Sequence, residues 1–143
     1  MKIVIASDHG GLRLKKELVE HLTKDGHAVE DIGTHTDASC DYPDFAHALA
    51  RKIAAKESDR GILLCGTGVG MAIVANRHVG VRAVNCSDTF TAKLSRSHND
   101  ANVLCIGERV VGSGLAWEIV SAWVAEPASN DARHLQRRAK IEV

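Results

Sequence analysis

The chain has 143 residues, of which 45% are hydrophobic and 25% charged, and its formal net charge is zero. This length and balance are typical of one soluble globular domain, and the neutral charge gives no overall electrostatic case for binding nucleic acid or a membrane surface. Only 3% of the residues are aromatic, which argues against a stacking platform for single-stranded nucleic acid. No apolar run approaches the roughly 18 residues of a membrane span, and residues 1–5 carry no signal-peptide pattern, so we expect a cytoplasmic protein.

Short apolar runs recur along the chain and predict five buried strands. In order, these runs are 2–7, 27–32, 61–65, 79–84 and 102–106. The intervening segments, together with the one after the last strand, have the spacing of helix faces. These faces carry Leu14, Leu18 and Leu22; Phe45, Leu49 and Ile53; Phe90 and Leu94; and Leu115, Ile119 and Trp123, while a further helix is predicted at 69–77.

Residues that favour helix ends indicate several boundaries. Pro43 suits the start of the second helix, which is expected to run to about Ser58. Ser87 or Asp88 can cap the fourth helix, and Pro127 ends the fifth.

Strands that alternate with helices predict an α/β fold, with a five-stranded parallel sheet and helices on both of its faces. A single domain over 1–143 is expected, because no linker, repeat or low-complexity tract interrupts the pattern. A strongly basic last helix is predicted at about 130–140. Because the segment 128–143 has little apolar content of its own, it must either lie on the surface or pack on a partner subunit.

Residues 62–71 combine an apolar run, a cysteine and three glycines at alternate positions. Cys65 stands where a strand meets a loop, the usual position of a reactive group in such sheets. Glycines let backbone N–H groups approach an anion, and the helix start behind them adds positive charge. A dinucleotide fingerprint would need glycine where Met71 stands, and the Lys-Ser/Thr of a Walker A loop is absent. The stretch therefore predicts a cradle for a phosphate or a reaction oxyanion, or else a tight turn that needs small residues.

Other strand ends at the same sheet edge also carry polar groups. Asp8 and His9 follow the first strand, although Asp8 could equally cap the next helix. Ser87 and Asp88 follow the fourth strand, and residues 107–109 follow the fifth.

A histidine and a pair of arginines could each belong either to a site or to the surface, whereas two of the cysteines are expected in the core. His98 lies in a polar loop and could belong to a site or to the surface. Arg133 and Arg137 share one helix face, which suits either a solvated surface or bidentate capture of a phosphate. The four cysteines form no CxxC motif, so Cys86 and Cys105 are expected to be reduced, buried thiols.

Six motifs carry a resemblance that extends over essentially the whole chain. They are Asp8-His9-Gly10-Gly11, Asp41-Tyr42-Pro43, Cys65-Gly66-Thr67-Gly68-Val69-Gly70, Ser97-His98-Asn99-Asp100, Gly107-Glu108-Arg109-Val110-Val111-Gly112 and Arg133-His134-Leu135-Gln136-Arg137. With these motifs in this order, the chain closely resembles type B ribose-5-phosphate isomerase, the family that includes the galactose-6-phosphate isomerase subunits. The resemblance implies a Rossmann-like three-layer αβα sandwich and a homodimer or dimer of dimers with a shared active site. It implies no metal and no organic cofactor, and interconversion of D-ribose 5-phosphate and D-ribulose 5-phosphate.

The resemblance also assigns roles to single residues. Cys65 matches the catalytic base, and His98 matches the residue that opens the furanose ring. Asp8, His9 and Asn99 match substrate contacts. The anion hole is matched by Gly66, Thr67, Gly68, Val69 and Gly70. The contacts at the phosphate end are matched by Arg109, Arg133 and Arg137. Some of the arginines are expected from the neighbouring subunit.

One branch of the family places a glutamate base just after the glycine loop. Met71 stands there and cannot accept a proton, which favours Cys65 as the base. The loop N–H groups could hold an enediolate oxygen, and the Thr67 hydroxyl could shuttle a proton between the two oxygens. Two alternatives remain open. One is the same chemistry on allose 6-phosphate or a tetrulose phosphate, and the other is a non-catalytic module that binds a sugar phosphate or nucleotide.

Overall fold

The computed structural model describes residues 1–142, and its strands and helices alternate along the chain as predicted. The strands are β1 (Lys2–Ser7), β2 (Ala28–Asp31), β3 (Arg60–Cys65), β4 (Ala83–Asn85) and β5 (Val103–Gly107). The helices are α1 (Leu12–Lys24), α2 (Tyr42–Ala54), α3 (Val69–Ala75), α4 (Thr89–Ser97), α5 (Ser113–Ala125) and α6 (Ala132–Ala139). A short 3₁₀ turn, His9–Gly11, leads into α1.

The five strands form one parallel sheet in the order β2-β1-β3-β5-β4. β1 and β3 are neighbours, with Ser7 opposite Leu64 at their carboxyl ends. The chain leaves β1 towards β2 and leaves β3 towards the other side of the sheet. A crevice for ligands opens where the connections diverge in this way, so the loops after β1 and β3 flank the expected binding position.

The sheet has a hydrophobic core on each face, which confirms the predicted three-layer sandwich. Ile3, Ile5 and Leu64 face the core that the helices α1, α4 and α5 complete. Val4 and Leu63 face the opposite core, which α2 and α3 cover. Successive residues of a strand point to opposite faces, so a sheet covered on both faces needs the continuous apolar runs seen in the sequence.

The fourth strand is shorter than the predicted 79–84, and the beginning of that prediction was wrong. Gly80 has a φ of +80°, and the N–H of Val81 donates to the carbonyl of His78 at 3.1 Å. Val79, in the resulting turn, is 79% exposed. The left-handed glycine therefore separates Val79 from the strand, which begins only at Ala83.

Helix α2 ends at Ala54, four residues before the predicted end near Ser58. Lys56 has a φ of +59°, and its N–H donates to the carbonyl of Ile53 at 3.0 Å. This left-handed residue closes the helix without a glycine, so residue type alone did not reveal the end of the helix.

Two predicted helix faces were partly wrong. Phe90 is 72% exposed and Leu115 is 42% exposed, although Ile119 and Trp123 are buried as expected. The inward positions near the starts of α4 and α5 are instead filled by alanines, Ala92 and Ala116.

The basic helix α6 follows α5 as predicted, and His134 is its buried side chain. Within residues 1–142, no helix combines the length and apolarity that crossing a bilayer would require.

Candidate active site

The loops after β1 and β3 touch each other at the crevice. The N–H of Asp8 donates to the carbonyl of Leu64 at 3.3 Å. A Cβ on Gly10 would lie 3.1 Å from the backbone nitrogen of Gly66. Because Gly10 has no side chain, the Asp8–Gly11 loop can approach the glycine loop closely at Gly66.

Cys65 lies at the carboxyl end of β3 and is only 6% exposed. Its Sγ accepts a hydrogen bond from the N–H of Gly68 at 3.1 Å. Gly68 has a φ of +81°, and a Cβ there would lie 2.6 Å from Oδ1 of Asn85. Only glycine suits this position, and its conformation turns a backbone donor onto the sulfur. A donor so placed stabilises negative charge on sulfur.

The loop also holds backbone donors that are not used within the protein. Among residues 1–142, the N–H groups of Gly66, Thr67 and Gly70 donate to no protein acceptor. The N–H of Val69 donates to Oγ1 of Thr67 at 3.3 Å. Adjacent unpaired N–H groups form a concavity that suits an anion, and this concavity lies beside Cys65.

Arg109 is brought to this loop from the end of β5. Its N–H donates to the carbonyl of Gly66 at 3.1 Å, and a Cβ on Gly66 would lie 3.2 Å from a terminal guanidinium nitrogen of Arg109. Its neighbour Glu108 donates its N–H to the carbonyl of Cys65 at 2.9 Å. The carboxylate of Glu108 accepts the N–H of Leu14 in the first turn of α1. The arginine is therefore tied to both the glycine loop and α1.

Asp8 and His9 occupy the other side of the crevice. The buried carboxylate of Asp8 accepts the N–H of Gly10 at 2.9 Å, so it caps the 3₁₀ turn as one interpretation of the sequence expected. His9 is half-buried, and its Nδ1 accepts the N–H of Cys40 at 3.2 Å. The involvement of Cys40 was missed, because a main-chain contact leaves no trace in residue type.

Tyr42 also lies at this site. A Cβ on Gly70 would lie 2.6 Å from the Tyr42 ring, so the ring packs directly on the glycine loop. The motif Asp41-Tyr42-Pro43 was the only sequence signal for this contact.

His98 and Asn99 lie at the opposite end of the sheet. They follow the last residue of α4, which runs back from the carboxyl ends of the strands. The next segment returns to the start of β3, where the N–H of Gly61 donates to the carbonyl of Asn102 at 2.9 Å. Gly61 and Cys65 are about 13 Å apart at 3.3 Å per residue. One chain therefore does not bring His98 to its own Cys65.

An ion-pair network holds the His98–Asn99 turn. Asp100 has a φ of +50°, and its carboxylate pairs with Arg96 at 2.7 Å and with Arg82 at 3.1 Å. Nε of Arg82 also donates to the carbonyls of Asn99 and Asp100. Arg96 is buried, and a buried guanidinium is tolerated when its donors are paired. The two arginines thus fix the backbone that presents His98 and Asn99.

Helix α6 packs beside this turn. The rings of His98 and His134 stack with centroids 4.3 Å apart and planes 19° apart. Burial lowers the pKa of His134, and His98 and Arg133 add to that effect. Arg133 and Arg137 are both exposed, so the predicted arginine face lies near His98 and not near Cys65. His134 was missed as part of this cluster, although it stands within a recognised motif.

Three other side chains considered in the sequence analysis, Asp88, Cys86 and Cys105, have structural roles. Asp88 caps α4 by accepting the N–H of Thr91 at 2.7 Å, and this hydrogen bond lowers the pKa of the Asp88 carboxyl. Ser87 is exposed next to it. Burial raises the pKa of Cys86 to about 11 and raises the pKa of Cys105 well above its usual value. In residues 1–142, no three His, Cys, Asp or Glu side chains cluster as metal ligands.

Comparison with known proteins identifies the family. The profile of the Ribose/Galactose Isomerase family matches residues 3–141. Ribose-5-phosphate isomerase B of Escherichia coli (strain K12) is 49% identical over 136 residues, which cover 95% of this chain and 91% of that protein. D-erythrulose-4-phosphate isomerase of Pectobacterium atrosepticum is 42% identical over 125 residues, which cover 87% of this chain and 82% of that protein. The structure of ribose-5-phosphate isomerase B from Clostridium thermocellum, 49% identical, matches with a TM-score of 0.96 over 99% of this chain and 95% of that one. The chain therefore belongs to the ribose/galactose isomerase family, and it is an isomerase.

Proposed function

We propose that this chain interconverts D-ribose 5-phosphate and D-ribulose 5-phosphate through an enediolate, with Cys65 as the base. The observation that carries the proposal is the environment of the Cys65 sulfur. It accepts one backbone N–H from Gly68 at 3.1 Å and lies beside the unpaired donors of Gly66 and Thr67. A base and preorganised donors for a developing oxyanion are the two requirements of this reaction.

The proton transfers follow from this arrangement. As a thiolate, Cys65 removes the proton from C2 of the open-chain aldose, and the electron pair forms the C1–C2 double bond while negative charge moves to O1. The loop N–H groups stabilise that oxygen. The Thr67 hydroxyl relays the O2 proton to O1, and Cys65 returns its proton to C1, which leaves the ketose.

Ring opening and phosphate binding require a second copy of the chain in this proposal. Ribose 5-phosphate is a furanose, so a group must donate a proton to the ring oxygen and another must accept one from the anomeric hydroxyl. His98 suits this role, because an imidazole can act as a proton donor or as a proton acceptor. The distance between the two ends of β3 supports a dimer in which His98 and Asn99 of one chain complete the site at Cys65 of the other.

The basic helix α6 fits the same dimer. Arg133 and Arg137 lie on the side of His98, so they would reach the substrate phosphate together with it. His9 and Arg109 would come from the chain that supplies Cys65. We therefore propose that 128–142 packs on a partner subunit, where its exposed arginines face an anion; residue 143 of the predicted segment lies outside the described residues.

A second candidate substrate is a four-carbon sugar phosphate. The relative from Pectobacterium atrosepticum, whose name gives D-erythrulose 4-phosphate as its substrate, is 42% identical to this chain. Comparing kcat/KM on four-, five- and six-carbon aldose phosphates decides between the substrates. The highest value is expected for ribose 5-phosphate, and a higher value for either of the others would overturn that choice.

The role of Cys65 is tested by hydrogen exchange. In ²H₂O, the wild-type enzyme is expected to incorporate deuterium at C1 of ribulose 5-phosphate. Cys65→Ala should lower this exchange by about 10²- to 10⁴-fold, the usual contribution of a general base, with an unchanged circular-dichroism spectrum. Cys86→Ala removes a buried thiol from the core on the other face of the sheet and serves as the matched control. Normal exchange in Cys65→Ala would contradict the assignment.

A further inference from the structure

We propose that the backbone N–H of Cys40 fixes His9 as the neutral tautomer with its proton on Nε2, so that His9 meets the substrate as a hydrogen-bond donor. The N–H of Cys40 lies 3.2 Å from Nδ1 of His9. A backbone N–H can only donate, so Nδ1 must present its lone pair. The proton of the neutral ring then resides on Nε2. Cys40 is in this view a positioning residue, acting through its main chain.

The thiol of Cys40 is compatible with the same tautomer. Its Sγ lies 3.9 Å from Nδ1 of His9. A thiol is both a weak donor and a weak acceptor, and therefore does not choose between tautomers by itself. The backbone N–H of Cys40 determines the tautomer, because a hydrogen on Nδ1 would be repelled by the amide hydrogen of Cys40.

The segment that carries Cys40 is anchored at its start by a buried charge. Lys15 is fully buried, and its ammonium donates to Asp31 at 2.8 Å and to the carbonyl of Thr34 at 2.6 Å. The N–H of Thr34 donates to the carbonyl of Ser7, the last residue of β1. A buried ammonium persists only with such partners, so the beginning of the segment is tied to both α1 and β1.

The segment is also anchored just after Cys40. The ring of Tyr42 packs on Gly70 of the glycine loop, and Tyr42 begins the helix α2. Cys40 thus lies between a side chain fixed on the Cys65 loop and a segment fixed on α1. The amide that faces His9 is held from both directions, as a group that selects a tautomer must be.

The tautomer has a consequence for how an anion is bound. A neutral imidazole with its proton on Nε2 offers one N–H donor and brings no positive charge. The charge that balances a phosphate must then come from arginines such as Arg109, whose guanidinium lies beside Gly66. The Nε2–H of His9 would orient the bound phosphate through a hydrogen bond, and the arginines would balance its negative charge. This last step rests on the proposed sugar-phosphate function.

The tautomer itself is tested without any substrate. In protein labelled with ¹⁵N-histidine, two-bond couplings to the ring carbon hydrogens identify the protonated nitrogen, and the spectrum of His9→Gln assigns the His9 signals. We expect a protonated Nε2 and a bare Nδ1 at pH 7.5. Cys40→Ala keeps the backbone N–H and should leave this pattern unchanged. A proton on Nδ1 of His9 in the wild-type enzyme would overturn the proposal, whatever the enzyme's substrate proves to be.

The donor role is tested with two amide substitutions. The nitrogen of a glutamine lies near the position of Nε2, whereas an asparagine reaches only the position of Nδ1. His9→Gln should therefore bind inorganic phosphate about tenfold more tightly than His9→Asn, which corresponds to about 1.4 kcal/mol and to one lost hydrogen bond to an anion. Isothermal titration calorimetry measures both affinities. Equal affinities of the two variants, or tighter binding by His9→Asn, would contradict the role of Nε2–H. If the wild-type enzyme showed no isomerase activity on ribose 5-phosphate, that result would count against the proposed function and not against the tautomer of His9.

Discussion

Three cysteines of this chain show how surroundings decide what a thiol can do. Burial keeps Cys86 and Cys105 protonated, with the pKa of Cys86 raised to about 11 and that of Cys105 raised well above its usual value. Cys65 is also nearly buried, but a backbone N–H from Gly68 is directed at its sulfur. A hydrogen-bond donor favours the charged form of a group, whereas an apolar surrounding disfavours it. The left-handed Gly68 therefore gives the Cys65 sulfur a backbone donor, which supports the proposed role of Cys65 as the base.

His98 permits a prediction that depends on substrate chemistry. The furanose ring of ribose 5-phosphate must be opened before the proton at C2 can be removed, whereas open-chain ribulose 5-phosphate needs no ring opening. His98→Asn should therefore lower kcat/KM for ribose 5-phosphate by about 10²- to 10⁴-fold, the range for a lost general acid or base. Deuterium exchange at C1 of the open-chain ribulose 5-phosphate should fall much less.

The control for this prediction is His35→Asn, which changes an exposed histidine in the segment after β2. Coupled enzyme assays and proton NMR in ²H₂O provide the two measurements. If His98→Asn lost exchange with the open-chain ketose as fully as turnover of the ring, His98 would act in the proton transfer itself and not in ring opening.

At the scale of elements, apolar patterns predicted the order and type of the five strands and of helices α1 to α5, and the errors have local causes. The fourth strand was predicted to begin at Val79, because Val79, Val81 and Val84 suit a strand. Residue type alone does not show that Gly80 is left-handed. Lys56 and Asp100 take positive φ values although neither is glycine. In Asp100 this backbone is held by Arg96, near the end of α4, and by Arg82, which stands just before β4 and is distant in the chain. Such tertiary support has no period and could not be predicted from a single sequence.

A histidine pair joins two elements and gives the fold a pH dependence. Nδ1 of His47 in α2 lies 2.8 Å from Nε2 of His78, which follows α3. Burial lowers the pKa of His78 below the ordinary 6.5, and His47 and Arg51 add to the effect. The folded state thus binds fewer protons than the unfolded chain below about pH 6.5. The contribution of neutral His78 to the free energy of unfolding is therefore fully present above about pH 6.5 and is lost as the pH falls below that value.

This dependence can be measured by urea unfolding at pH 7.5 and pH 5.5. The midpoint of the wild type should be lower at pH 5.5, and His78→Gln should lose less on acidification because it cannot take up the proton. His35→Gln, with its exposed side chain, should behave as the wild type does. An equal loss in His78→Gln and the wild type would show that the pair is not a source of the pH dependence.

At the scale of the whole molecule, the predicted site residues separate into two groups. Strand-end topology predicted the first group, because loops after parallel strands must meet at one edge. Asp8, His9 and the glycine loop are there, and Arg109 joins them. His98 and the arginines of α6 stand at the other end of the sheet. Their relation to the first group depends on how two copies pack, and hydrophobic periodicity within one chain carries no information about that.

Subunit mixing tests whether two copies share their sites. Cys65→Ala and His98→Asn should each inactivate a homodimer, but a mixed dimer would contain one site with Cys65 and His98 both intact. Random exchange makes half of the dimers mixed, each with one intact site of two, so about a quarter of the wild-type activity should return. Mixing Cys65→Ala with Arg109→Ala provides the control, because Arg109 lies against the glycine loop that follows Cys65 in the same chain. Both sites of that mixed dimer carry a defect, and little activity should return. Once native mass spectrometry has demonstrated exchange, equal recovery in the two mixtures, or none in the first, would exclude a site built from His98 of one chain and Cys65 of the other.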